Sequence, residues 1–196
     1  MLALQAKAVT THAWVLDVET TGLQETARII EIAVVRVDLS TGESVEEFSS
    51  LVYPGITIPA DATRVHGIDD STVADAPYLQ DVLPGLLQRL QRTPAPLVIH
   101  NAVYDLGRLR YEAARLGIVL PQSLPVYDSV LAARKLVKIK SRALPSLATH
   151  YNVHVAGAHR ALADVKTLGR VIFHLLREPA VASLDLTTAI PSAGKL

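Results

Sequence analysis

The stretch WVLDVETTGL, residues 14–23, decides the fold. Its first half, residues 14–18 (WVLDV), is apolar but for one acid, the pattern of a strand buried on both faces. Asp17 and Glu19 stand two residues apart at its end. Residues i and i+2 of a strand share a face, so both carboxylates project together from the end of a core strand. At ~4 Å and an effective dielectric of ~20, two such charges repel by about 4 kcal/mol. Left alone, one of them takes up a proton. Two readings follow. Either each acid finds a basic partner or solvent at the strand end, or the pair holds a hard cation, for which oxygen ligands suit magnesium or manganese. Thr20, Thr21, Gly22 and Leu23 then form either a bare turn or a place where a phosphate or sugar approaches the backbone.

Outward from this stretch, residues 29–37 (IIEIAVVRV) and 45–53 (VEEFSSLVY) read as two further strands, separated by segments with turn chemistry. Connections this short imply an antiparallel three-stranded meander, since parallel strands need long crossovers. PGITIPADATRVHGIDD then reads as a long loop. Residues 78–92 place Leu79, Val82, Leu83, Leu86, Leu87 and Leu90 at helical spacing, with a kink or restart expected at Pro84 and Gly85. A short strand over 96–100 precedes an amphipathic helix over 103–116 that stops at Gly117. A strand near 125–127, a helix from Asp128 or Ser129 to about Val137, a helix over 145–151 and a long helix over 160–177 complete the pattern. This is an α/β domain with a mixed five-stranded sheet flanked by helices. It divides into an N-terminal tail (1–12), one domain (13–178) and a flexible C-terminal tail (179–196).

Composition narrows the function. The chain has 196 residues, 49% of them hydrophobic, enough for one sizeable core. The formal net charge is zero, so no bulk field advertises a nucleic-acid partner. The absence of cysteine removes disulfides and thiolate zinc sites and suits a reducing cytoplasm. The N-terminal residues lack the apolar region of a signal peptide, and no apolar run reaches the ~18 residues of a membrane span. A cytoplasmic protein without membrane contact is expected.

Two more motifs carry chemistry. HNAVYD, His100 to Asp105, follows an apolar strand and opens a helix; Asp105 there is a capping acid or a site residue. AHRALADV places His159 five residues before Asp164, which puts the histidine in a loop or cap and the aspartate on the first turns of the last helix. In the order D-x-E, N-x3-D, H-x4-D, these motifs resemble the DEDDh (DnaQ-like) 3′–5′ exonucleases, and more narrowly the epsilon proofreading type of bacterial DNA polymerase III. LDVETTGL, RIIEIAVV, ADATRVHGI, LVIHNAVYDLGRL and HRALAD carry the resemblance over almost the whole chain.

The resemblance implies an RNase H-like fold and two divalent cations, Mg2+ or Mn2+. Asp17, Glu19, Asp105 and Asp164 match the four metal-binding acids, with Asp17 bridging the two ions. His159 matches the general base, a task that suits an imidazole near neutral pH. Thr20, Gly22 and Leu23 match positions at the terminal nucleotide; His66 and Asp61 match a pair near it; Asn101 matches the asparagine of the second motif. Val18 stands where threonine is common, Tyr104 where phenylalanine is common, and Arg160 where a glycine is frequent. None of these departures removes a ligand or the base.

The implied activity is hydrolysis of DNA from single-stranded or frayed 3′ ends to nucleoside 5′-monophosphates, in proofreading or repair, with a DNA polymerase catalytic subunit as partner. The rivals are the same chemistry on RNA, as in RNase T-like or oligoribonuclease-like enzymes, and a non-catalytic nucleic-acid-binding module. Intact acids and His159 speak against the last. RKLVKIKSR, residues 134–142, reads as a solvated helix end or a contact to substrate phosphates. Gln122, Ser123 and Leu124, faintly similar to a sliding-clamp peptide, read as loop and strand.

Overall fold

The computed structural model describes residues 10–121, 124–155, 157, 159–179, 181 and 192–196, with the backbone alone at 192, 193 and 195. The strands are β1 His12–Thr20, β2 Ile29–Asp38, β3 Ser44–Leu51, β4 Leu97–Ile99, β5 Pro125–Asp128 and β6 Ser192–Lys195. The helices are α1 Ala60–His66, α2 Asp70–Val73, α3 Leu79–Arg92, α4 Ala102–Leu116, α5 Ser129–Leu136, α6 Leu144–His150 and α7 Ala161–Leu175.

The sheet order is β3-β2-β1-β4-β5-β6. β1, β2 and β3 form the expected antiparallel meander; β4 runs parallel to β1 and β5 parallel to β4. Strand alternation sorts β1 between two layers. Trp14, Leu16 and Val18 pack with Leu83, Leu86 and Leu106 of α3 and α4. Ala13 and Val15 pack on the other face with Val165, Leu168 and Ile172 of α7. By the same parity Asp17 and Glu19 face α7. β1 also outruns its neighbour: it pairs with β4 only at Trp14, Val15 and Leu16. Residues 17–20 therefore have a strand partner on the β2 side alone, and the carboxyl end of the central strand lies open, where α/β sheets place their sites.

The five expected strands are all present, and other expectations are extended or corrected. A sixth strand, β6, in the segment expected to be a flexible tail, pairs antiparallel with β5. The free edge of β5 offers unpaired backbone groups, and the buried Leu196 donates its N–H to the Leu124 carbonyl at 3.2 Å. Small residues with no periodicity gave no warning of this. Residues 180 and 182–191 of that tail, 1–9 of the N-terminal tail, and Gln122 and Ser123 lie outside the described residues; His12, assigned to the N-terminal tail, pairs with Asp38 in β1. The long loop contains α1 and α2. A left-handed Gly67 ends α1, and a capping box between Asp69 and Thr72 starts α2. Ile58, Ala62, Ile68 and Val73 from this segment bury against Ile30. Finally, the helix does not restart at Pro84: α3 is one helix from Leu79 to Arg92. That proline is exposed, while Leu79, Val82 and Leu83 before it and Leu86, Leu87 and Leu90 after it are buried, so the core pins both halves. Among the described residues no helix is long and apolar enough to cross a membrane.

The contact between α7 and β2 is tight at Gly169, where an added Cβ would lie 2.7 Å from Val37 Cγ2. Valine is stiff at χ1 and the site is buried. Gly169→Ala gains ~1 kcal/mol of helix propensity and costs about 1–3 kcal/mol in overpacking. We expect a net loss, read as a melting temperature lower by ~2–4 °C per kcal/mol. A higher melting temperature would show that α7 can back away from the sheet.

Candidate active site

Asp17, Glu19 and Asp164 meet at the open end of β1: each offers a carboxylate oxygen within 4.8 Å of the others'. Two come from β1 by strand parity and the third from the first turn of α7. All three are half-buried, and none forms an ion pair among the described residues. Burial raises Asp17 well above the usual carboxylate range, and the charges of Asp105, Glu19 and Asp164 add to it. Burial likewise pushes Glu19 up to about 7, with Asp164 and Glu31 adding and Arg160 opposing. Asp164 is raised by burial against the hydrogen bond it accepts from His159. Crowded, unpaired, all-oxygen donors suit a hard divalent cation, whose charge would reverse the repulsion.

Asp105, in the first turn of α4, is outside that group of three oxygens, yet its charge raises the Asp17 carboxyl more than that of any other acid. Its Oδ1 accepts the Val18 N–H at 3.2 Å, satisfying a β1 donor that has lost its strand partner beyond the end of β4. Burial still raises it, to about 8.

His159 lies outside the helix, as expected, with a left-handed backbone (φ 62°). Its N–H donates to Asp164 Oδ2 at 3.0 Å. The start of α7 is fixed by a residue to which sequence reasoning gave no role. Buried Glu31, opposite Glu19 across β1 and β2, accepts from Arg160 Nη2 at 2.8 Å and Nε at 3.1 Å, and from the Ala161 N–H at 2.9 Å. An acid inside the apolar run IIEIAVV was the available signal, since such an acid must find a cation or a donor. Arg160, which departs from the family's frequent glycine, is that cation.

Two cavities flank the acids. One, of about 630 Å³, is lined by Asp17, Asp164, His159, His100, Asn101 and a basic wall. The other, of about 660 Å³, is lined by Glu19, Thr20, Gly22, Leu23, Asp61 and His66, among others. The expected nucleotide contacts thus converge on the second cavity, except Asn101, which lines the first. Leu23 is 86% exposed, an apolar side chain that no core residue covers. His66 Nδ1 accepts the Ile68 N–H at 3.1 Å, and Nε2 has no hydrogen-bond partner among the described residues; burial lowers the ring's pKa. The Tyr104 and Thr20 hydroxyls lie 2.6 Å apart, and both reach the Gly22 carbonyl, at 2.6 and 2.9 Å. A phenylalanine at 104 could not make these bonds, so this chain ties α4 to the turn more firmly.

The chain matches the RNase_T family, described as an exonuclease, over residues 14–172. The PolC-type DNA polymerase III of Caldanaerobacter subterraneus subsp. tengcongensis is 34% identical over 166 residues, 84% of this chain but 11% of that protein. The DNA polymerase III subunit epsilon of Salmonella typhimurium is 33% identical over 172 residues, 82% of this chain and 70% of that one. Among solved structures, exonuclease X in complex with 5′-overhanging duplex DNA is 26% identical, with a TM-score of 0.67, over 84% of this chain and 91% of that one. The nuclease domain of 3′hExo, a DEDDh family member bound to rAMP, shares the fold with a TM-score of 0.80 at 17% identity, over 97% of this chain and 100% of that one. A family match that begins at β1 and ends within α7 spans every element that shapes the acid cluster, and the chain therefore belongs to the RNase_T exonuclease family as a 3′–5′ exonuclease domain of the DnaQ-like, epsilon-related type.

Proposed function

We propose that the chain hydrolyses DNA from single-stranded or frayed 3′ ends to nucleoside 5′-monophosphates, in proofreading or repair, alongside a DNA polymerase catalytic subunit. The observation that carries the chemistry is the cluster of three carboxylates, two of which, Asp17 and Asp164, share a cavity with His159. The names of the PolC-type and epsilon relatives support DNA and a polymerase partner. A second reading, RNA as substrate, is favoured by the RNase_T family and the rAMP bound to 3′hExo.

Asp17, Glu19 and Asp164 would hold one divalent ion, Mg2+ or Mn2+, and Asp17 with Asp105 would hold a second. When bound, the ions supply charge that offsets what builds on the attacked phosphoryl group and on the attacking and leaving oxygens. His159 takes a proton from the attacking water onto its imidazole. The terminal nucleoside sits in the second cavity, with its sugar at Thr20, Gly22 and His66, Asp61 beside it, and its base on Leu23. Asn101 lines the side of the continuing strand.

Metal and pH are linked through the acids. In the metal-free fold their pKa values exceed the unfolded value of ~4. Their contribution to stability is then fully present below about pH 4 and lost as pH rises through about 7 to 8. In chelator the melting temperature should fall between pH 5 and pH 8. Magnesium or manganese should offset that fall, because the ions bind only the fold. Asp17→Asn should raise the metal-free melting temperature at pH 8 by ~2–4 °C per kcal/mol of repulsion relieved, and abolish hydrolysis. A flat profile in chelator would remove the cluster as a site of strain.

His159→Ala should slow turnover by roughly 10²–10⁴-fold while manganese affinity, measured by calorimetry, stays near wild type. Asp164→Ala should lose both. Wild-type turnover in His159→Ala would move the base elsewhere. A 5′-labelled oligonucleotide should yield a descending ladder of products; immediate release of labelled mononucleotide would reverse the polarity. Parallel DNA and RNA strands separate the two substrate readings.

A further inference from the structure

The run 134–142 holds five basic residues, Arg134, Lys135, Lys138, Lys140 and Arg142. None of them forms an ion pair among the described residues, whereas Arg28, Arg89, Arg160 and Lys166 each meet a carboxylate. A merely solvated helix end would turn such residues away from any cavity. Instead Arg134, in the last turn of α5, and Lys140 and Arg142, in the loop that follows, line the cavity that also holds Asp17, Asp164 and His159.

This wall is held in place. At the end of β4, His100 Nδ1 lies 2.8 Å from the Ser129 Oγ at the start of α5, and both His100 and Arg142 line the cavity. Val137, Ile139 and Leu144, which bracket Lys140 and Arg142, pack into one apolar cluster with Leu147 of α6. The loop that presents the cations is thus anchored at both ends.

Charge is distributed unevenly across the acids. The cavity around Thr20, Gly22 and Leu23 has neither lysine nor arginine in its lining; the opposite cavity has three such residues. A nucleic-acid strand whose cleaved phosphate sits at the acids has the same asymmetry. On the 3′ side it presents one nucleoside with no further phosphate. On the 5′ side it continues with a negative charge per nucleotide. We infer that Arg134, Lys140 and Arg142 grip the phosphates 5′ of the cleaved bond of a single strand. The grip rests on the proposed reading of the acid cluster as a nuclease centre. Cations positioned this way hold the strand without reading its sequence. They also make the cleft accept a strand in one direction only, since the reverse orientation would place the continuing phosphates in the cavity that lacks them.

The test compares wild type, the triple variant Arg134→Gln, Lys140→Gln, Arg142→Gln, and the charge-retaining double variant Arg134→Lys, Arg142→Lys. Binding of fluorescein-labelled oligothymidylate is followed by anisotropy against salt, in chelator so that no strand is cut. Hydrolysis of the same oligonucleotide is measured separately in magnesium. For the triple variant, the slope of log affinity against log salt should shrink by about 2, three contacts at ~0.7 each on a single strand. The double variant should keep the wild-type slope. An unchanged slope in the triple variant overturns the grip, as does an equal loss in the double variant or a wild type that does not bind. If wild type binds with the expected slope and cuts nothing, the nuclease reading fails while the grip stands. A loss on the p-nitrophenyl ester of thymidine 5′-monophosphate as large as that on the oligonucleotide also overturns the grip, since that ester has no phosphate on the 5′ side.

Discussion

Three half-buried carboxylates meet at the end of β1, and no ion pair among the described residues neutralises them. The rest of the site is organised around that repulsion. Strand parity turns Asp17 and Glu19 toward α7, and the first turn of α7 adds Asp164 to a place that already has too much negative charge. A protein selected for stability alone would have inserted a lysine. Here the missing charge is left for a cation from solution, and the fold tolerates the crowding because a large two-sided core surrounds it. Strain of this kind at a functional site has to be over-determined by its surroundings.

The over-determination comes largely from Glu31. It is the acid of this region whose charge the chain does neutralise, through two hydrogen bonds from Arg160 and one from the Ala161 N–H. Those bonds fix where α7 begins and the direction in which it leaves the sheet. His159, one residue earlier, adopts a left-handed backbone that costs an L-residue of order 1 kcal/mol. Its N–H on Asp164 and the clamp on Arg160 hold it there. One acid is therefore tied into the fold and three are left without an ion pair among the described residues, while the Asp105 carboxylate is tied to the β1 backbone.

Much of this was legible in the residues. The order of strands and helices followed from periodicity and turn chemistry, and the pairing of Asp17 with Glu19 followed from a period of two. The loop or cap position of His159 followed from a spacing of five. The misreadings share a cause. α1 and α2 are too short for periodicity, and they exist because Ile58, Ala62, Ile68 and Val73 find Ile30. Pro84 is a local helix breaker overridden by leucines anchored on either side of it. β6 has little side-chain pattern of its own, and β5 supplies the edge it completes.

The sequence by itself determined the chemistry available: four acids, a histidine and a hydroxyl-rich turn, each at the end of an element, because local periodicity dictates which residues share a face. Only the tertiary structure decided which acids meet. Asp164 joins Asp17 and Glu19 because α7 packs on the face to which they point, while Asp105 approaches Asp17 from α4 and binds the Val18 N–H beside it. It also decided that Glu31 is a clamp, that Tyr104 ties the turn to α4, and that the unpaired cations of 134–142 face the acids across a cavity. The clamp and the tie join residues 82 to 130 positions apart in the chain, and no spacing rule reaches that far; they exist because burying both faces of one sheet leaves few ways to place the helices.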